Sequence, residues 1–186
     1  TVSYHREGNL AYIRLSGFNN RTVDSLRQKI ARAQNEIGGD LRGYILDLRG
    51  NPGGLLEQAY WVSDVFVTRG RIVSTHGRHN DSHQYFAAKS DDLTDDAPLV
   101  VLIDGGSASA AEIVAAALQD SGRAVLVGSA SYGKGTVQTV LQLPNQGEFI
   151  LTWARFHAPS GYALHRRGVL PLLEPATAAD WTCPYY

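Results

Sequence analysis

Ser109 and Lys134 are the pair in this chain whose types and spacing could do chemistry. Ser109 lies in Ser107-Ala108-Ser109-Ala110-Ala111-Glu112, where an apolar helical pattern opens, and Lys134 stands between Gly133 and Gly135, 25 residues further on. A serine hydroxyl is a weak nucleophile until a neighbouring base takes its proton, and a lysine with a lowered pKa can be that base. Arginine cannot, because it keeps its proton in a protein. The chain carries 14 arginines and only three lysines, Lys29, Lys89 and Lys134, so a lysine at this place runs against the chain's own usage. To act near neutral pH it must fall by about 3 units from about 10.4, which desolvation can supply. The neighbouring strands are apolar, and Lys134 is therefore expected to be buried. The start of a helix adds unpaired amides and the positive end of a dipole, both suited to a developing oxyanion. Two plainer readings stand beside this one. Ser107 or Ser109 could simply cap the helix, and Lys134 could be a solvated loop residue.

A helix and a strand must bring these residues together, and the sequence supplies them. Pro98 precedes the apolar run Leu99 to Ile103, Ala110 to Leu118 carries a small-residue helical face, and Ala124 to Val127 forms another apolar run. Upstream, Gly43 to Leu48 reads as a buried strand that enters Arg49-Gly50-Asn51-Pro52-Gly53-Gly54 and then a helix from about Leu55 to Val67. A glycine turn between strand and helix can point several amides at one anion, although it could equally be only a tight turn. Strand, helix, strand, helix, strand in this order predicts an α/β core with largely parallel pairing and crossover helices.

The remaining elements frame that core. Residues 1–17 alternate as a hairpin with its turn at Glu7-Gly8-Asn9, and Thr22 is placed to cap a helix with Val23, Leu26, Ile30, Ala33 and Ile37 on one face, ended by Gly38-Gly39. Thr136–Leu143 and Phe149–Phe156 alternate around Pro144-Asn145-Gln146-Gly147 and predict a β-hairpin subdomain. Residues 70–97 are the least organised, with short strands expected at Arg71–Thr75 and His83–Ala88 and a solvated acidic loop at residues 91–96.

Composition narrows the function. The chain has 186 residues, 44% of them hydrophobic, which suits one domain, and its formal charge of -1 gives no basic surface for nucleic acid. It lacks 18 consecutive apolar residues and the charged-then-apolar start of a secretory leader. Cys183, the single cysteine, has no partner for an internal disulfide. His76, His79 and His83 have a spacing that invites a metal, yet no cysteine joins them in a loop-like segment, and no metal is expected. Gly128 to Lys134 reads G-x-x-x-x-G-K, but Gly135 stands where a phosphate loop requires serine or threonine, and no nucleotide or other cofactor is expected.

Three segments together resemble a known family, the C-terminal processing or tail-specific serine peptidases of family S41. They are Gly43 to Gly54, Ser107 to Glu112, and Tyr132-Gly133-Lys134-Gly135-Thr136-Val137-Gln138, in that order, and the resemblance runs from about Ala11 to Pro171. It implies a ClpP/crotonase-like core over residues 1–175, followed by a tail at 176–186. It further implies that Ser109 is the nucleophile, Lys134 the general base and Gln138 the residue that orients the lysine. The amide of Ala110 and one from Gly53 or Gly54 would form the oxyanion hole, and Asp120 would give structural support. Ala111 stands where the family usually has a second serine, and Leu172 where it usually has an aspartate. The implied substrates are C-terminal regions of proteins, in the bacterial periplasm or another extracytoplasmic space, with homo-oligomers possible. A PDZ domain, common in the family, does not fit within these residues and would act from outside them. Two rival readings keep the fold: a catalytically silent binding domain, and a crotonase-type acyl-CoA enzyme, which leaves Lys134 without a task.

Overall fold

The fold is built from two sheets joined through one buried helix. The computed structural model describes residues 1–142, 144–145 and 147–174. The expected tail at 176–186, with Cys183, lies outside them, as do Leu143 and Gln146.

The first sheet has five strands: β1 (Val2–Glu7), β2 (Leu10–Leu15), β3 (Gly43–Asp47), β6 (Leu99–Ile103) and β7 (Val125–Gly128), ordered β1-β2-β3-β6-β7. β1 pairs antiparallel with β2 as the predicted hairpin, and every other pairing is parallel. Parallel neighbours need long crossovers. These are α1 (Thr22–Ile37) between β2 and β3, and α3 (Ala110–Asp120) between β6 and β7; the longest runs from β3 to β6 and includes α2 (Leu56–Asp64). On α1 the expected stripe of Val23, Leu26, Ile30, Ala33 and Ile37 is buried. Thr22 is the first helical residue rather than the cap, and Asn19 satisfies the Arg21 amide instead. Past β7, Leu172 and Leu173 donate their amides to Leu126, so this segment covers the sheet's open edge.

The second sheet holds β4 (Arg71–Gly77), β5 (Gln84–Ala87), β8 (Thr136–Gln142) and β9 (Glu148–His157), ordered β5-β4-β9-β8 and antiparallel throughout. The expected hairpin subdomain is thus half of a larger sheet. β9 pairs on its other side with β4, Thr75 opposite Phe156, and no local pattern announces a partner so far away in sequence. The hairpin leaves Leu141, Phe149, Ile150 and Leu151 exposed.

Between the sheets runs α3, buried from Ala110 to Leu118 and in contact with α2, β4 and β7. Its alanines permit that close approach, because a helix with short side chains presents little bulk to its neighbours. The acidic loop is not merely solvated: Asp92, 5% exposed at its side chain, bonds Arg123 Nε at 2.6 Å and ties the loop to the end of α3.

Candidate active site

Ser109 is the N-cap of α3 and has φ 55° and ψ -114°. A positive φ is unfavourable for a residue with a Cβ, and costs of about 1–3 kcal/mol persist only where the surroundings impose them. Here they do. Glu112 Oε2 accepts the Ser109 amide at 2.8 Å, while the Glu112 amide bonds the Ser109 carbonyl at 2.9 Å. Ser109 and Glu112 together form a capping box over the first turn of α3. Ser107 behaves differently: fully buried, its Oγ donates to the Leu48 carbonyl at 2.8 Å and accepts the Asp104 amide at 3.0 Å. It is a structural serine, whereas Ser109 is half-buried.

The glycine turn after β3 lies against this elbow. A Cβ added to Gly53, which has φ 100°, would lie 2.8 Å from Ser109 Cβ and 2.9 Å from the Ala110 amide nitrogen. Only glycine leaves room there for another group. The turn is fastened by Asn51, wholly buried, whose Nδ2 donates to the Leu15 carbonyl at 2.8 Å and whose Oδ1 accepts the Gly53 amide at 2.9 Å. The Asn51 carbonyl in turn accepts the Ala108 amide at 2.9 Å. One asparagine thus joins β2, the glycine turn and the serine segment. Of the expected oxyanion donors, Gly53 has its amide occupied, whereas the amides of Ala110 and Gly54 donate to no protein group among the described residues.

Lys134 arrives by a different route. Gly133 and Gly135 turn the backbone onto residues 164–166, and a Cβ on Gly135 would stand 2.2 Å from the His165 nitrogen. The Arg166 amide bonds Gly133 at 2.8 Å, and the Phe156 amide bonds Gly135 at 2.9 Å. Glu112 holds the loop from inside. Its Oε1 accepts the Gly133 amide at 2.6 Å and the Ser131 hydroxyl at 2.5 Å, and its Oε2 accepts the Lys134 amide at 2.8 Å. With the backbone drawn inward, the Lys134 side chain is exposed. This corrects the expectation of a buried lysine: the glycines bury the loop's main chain and leave its side chain in water. No hydrogen bond joins Lys134 to Ser109 or to Gln138 among the described residues. Gln138, exposed beside a bulge in β8, donates instead to Thr152 Oγ1 at 3.3 Å.

Asp120 sits at the opposite end of α3 from Ser109, about 16 Å away at about 1.5 Å per residue. Its Oδ2 accepts the Ser160 amide at 2.9 Å and the Ser160 hydroxyl at 2.6 Å, fixing the turn that follows β9. Support from Asp120 therefore reaches the strand that holds Gly135, and only through it the site.

At the end of β3, buried Asp47 anchors the strand from which the glycine turn leaves. It accepts bonds from the Tyr12 hydroxyl, from Arg14 at 2.6 Å and from Arg49 Nε at 2.9 Å. Burial pushes its carboxyl up, but bonds from the Arg49 side chain, the Tyr12 hydroxyl and the Arg49 amide outweigh that and bring it down to about 2. Away from this site, His76 stacks on His83 with ring centres 5.2 Å apart and on His157 at 4.5 Å, while His79 faces Asp81 at 3.4 Å. Burial, then the two neighbouring imidazoles, push His76 below its ordinary value. Among the described residues no three His, Cys, Asp or Glu side chains are arranged so that they could hold a metal ion.

Glu112 and Asn51 were not singled out by the sequence as site residues. For Glu112 a signal existed, since Ser109-x-x-Glu112 has the spacing of a capping box. For Asn51 there was only its place in a turn.

The model of peptidase family S41 matches residues 9–174. A carboxy-terminal-processing protease of Bartonella bacilliformis is 49% identical over 91% of this chain and 39% of its own length. A carboxy-terminal processing protease of Bacillus subtilis is 36% identical over 97% of this chain and 38% of its own. Among solved structures, a photosystem II D1 C-terminal processing protease superposes with a TM-score of 0.80 at 32% identity, covering 89% of this chain and 42% of that one. The chain therefore spans about two fifths of the length of these relatives. With a family model that covers the sheet, the serine elbow and the lysine loop alike, the chain belongs to peptidase family S41.

Proposed function

We propose that this chain is the protease core of a serine endopeptidase that cleaves proteins near their C-termini through an acyl-enzyme. Ser109 Oγ attacks the scissile carbonyl carbon while neutral Lys134 Nζ takes the hydroxyl proton. The carbonyl oxygen, now an oxyanion, lies between the Ala110 and Gly54 amides. Lys134 then gives its proton to the leaving amine, and the C-linked fragment departs. Water, deprotonated by Lys134, attacks the ester and frees Ser109. Gln138 orients the lysine by accepting a hydrogen bond from Nζ through its side-chain carbonyl. No metal or cofactor takes part.

The observation that carries this reading is the strained Ser109 beside two unpaired amides and a glycine whose missing Cβ leaves the space open. Lys134 has to swing in from solvent. Its amide is already fixed on Glu112, so only side-chain torsions change, and a substrate laid over it excludes water from around Nζ. The relatives' names support C-terminal regions of proteins as substrates, and their greater length leaves room for a PDZ domain or other regulatory partner and for oligomer contacts. We place the chain in an extracytoplasmic space, by family likeness. Among the described residues no helix is long and apolar enough to cross a membrane.

The exposed Lys134 and the Gln138–Thr152 bond favour a second reading, a catalytically silent binding domain. Incubation with casein, alongside Ser109→Ala, Lys134→Ala and Lys134→Arg, with fragments read by mass spectrometry, separates the two. Cleavage by the parent alone is the expected result. Silence of the parent, persisting in the full-length protein, would sink the enzyme reading. The crotonase-type alternative gains nothing from this geometry.

A further inference from the structure

In the second sheet, His76 Nε2 and Trp153 Nε1 are buried and bond to no group among the described residues. Such atoms are exceptions in folded proteins, because a buried donor left unpaired costs stability. Both side chains wall one cavity of about 570 Å³ over the paired strands β4 and β9, together with Arg78 and Arg155. The backbone and its neighbours fix the wall in place. His76 is clamped between the rings of His83 and His157. Trp153 is the extra residue of the bulge in β9, where Ala154 pairs with Val137 but Thr152 with Gln138, and a bulge re-aims the side chain it carries. A Cβ on Gly77 would strike the Trp153 carbonyl, so glycine lets the two strands close up here. An indole N–H and two guanidinium groups can only donate, and neither arginine meets a carboxylate among the described residues. Asp81, the acid of this stretch of chain, faces His79 at 3.4 Å. A wall with a surplus of donors calls for an anion.

We propose that this cavity receives an acidic side chain of the protein substrate, its carboxylate held by Arg155, Arg78 and the Trp153 N–H. Register ties the cavity to the lysine segment. His76 lies opposite Arg155 and Arg155 opposite Thr136, which stands two residues past Lys134 and two before Gln138. At about 4.8 Å between strands and about 3.3 Å per residue, the Arg155 and His76 backbones lie about 8 and 12 Å from that of Lys134. A substrate stretched over this face with its scissile bond at Lys134 therefore sets the residue about three positions away over the cavity. Thr152 links the two places, since it lines the cavity and its Oγ1 accepts from Gln138. A free anion would meet the same donors but would draw nothing from that link. The inference rests on the protease reading, because it names a substrate feature that the same site selects.

The test uses the 186-residue chain carrying Ser109→Ala, so that nothing is cut, and isothermal titration calorimetry with two unstructured decapeptides blocked at both ends. One is made of Ser-Glu repeats and the other of Ser-Gln repeats. The acidic peptide is expected to bind about tenfold more tightly. Arg155→Gln, added to that background, should abolish the preference, and Trp153→Phe, which keeps a ring and loses the N–H, should cut it severalfold; neither should change the affinity of the neutral peptide. Arg42→Gln, at an exposed arginine just before β3, should leave the preference intact and so separates this cavity from general charge attraction. Equal affinities for the two peptides, an equal loss of preference in Arg42→Gln, or no binding of either peptide at millimolar concentration would each overturn the inference. Inorganic phosphate binding more tightly than the acidic peptide would do so too, by making the cavity a site for a free anion. Casein cleavage by the parent is read separately, as the spacing of Asp and Glu from each cut. Acid-selective binding by a chain whose parent cuts nothing would keep the cavity's preference and remove the protease reading, whereas cuts with no acidic residue at a fixed spacing would keep the protease and remove the subsite.

Discussion

The amides of Ser109 and Lys134 are held by one atom, Oε2 of Glu112, which accepts each at 2.8 Å. The two residues come from elements on either side of β7, and a single buried carboxylate fixes the spacing of their main chains. Its other oxygen serves the Gly133 amide and the Ser131 hydroxyl.

Removing that carboxylate should therefore damage both stability and alignment. Glu112→Ala leaves three amides and a hydroxyl without their acceptor, at an expected cost of about 3 kcal/mol or more. The shift is readable as a lowered midpoint in urea. Glu112→Gln keeps the shape but turns an NH₂ group toward donors, so at a temperature where circular dichroism shows it folded, casein cleavage should still fall at least about tenfold. A Glu112→Gln variant with full activity would show that the spacing is set elsewhere.

Gly53→Ala tests the space beside the elbow. The added Cβ would lie 2.8 Å from Ser109 Cβ and from the Ala108 carbonyl oxygen, at a φ of 100° that alanine resists. Cleavage should drop by about 100-fold, the size of losing one oxyanion donor. Gly39→Ala, where nothing lies within 4 Å, is the matched control and should retain activity.

Asp47 predicts an acid limb in stability. Its carboxyl is brought from 3.8 to about 2 in the folded chain, so the unfolded chain binds the proton first as pH falls. The stabilisation is complete above about 3.8 and lost as pH drops through about 2, and it amounts to about 2 kcal/mol. Urea midpoints measured from pH 5 to 2 should fall more steeply for the parent than for Asp47→Asn, which will already be weaker at pH 5.

His76 acts in a higher window. Stacked between His83 and His157, it titrates below its ordinary 6.5 in the folded state. The unfolded chain therefore takes up the proton first. Stability contributed by the neutral stack is full above about 6.5 and declines as pH falls below it. His76→Phe should flatten the melting temperature between pH 6.5 and 5. An unchanged slope would assign it to other groups.

Local patterns made much of this fold legible. Alternation gave β1 and β2, the unbroken apolar run gave β6 from Leu99 to Ile103, and the small-residue face gave α3, because each depends on residues only a few positions apart. The site residues were legible as types in motifs, yet their relations were not. That Lys134 is exposed follows from Gly135 lying on His165, thirty residues away, and that Gln138 bonds Thr152 follows from the bulged pairing of β8 with β9. Glu112 resembled an ordinary first-turn acid, since its four donors come from two separate segments. Long-range pairings leave no mark within the windows a sequence pattern can span.

Glycine alone would occupy φ 55° and ψ -114° without strain, so Ser109→Gly should give a chain that is more stable by about 1 kcal/mol and inert. Stability and the elbow's hydroxyl pull in opposite directions at this position. Screening variants of this domain for thermal resistance alone would enrich the dead ones, and a thermostable lineage that still carries serine here must draw its gains from elsewhere in the fold.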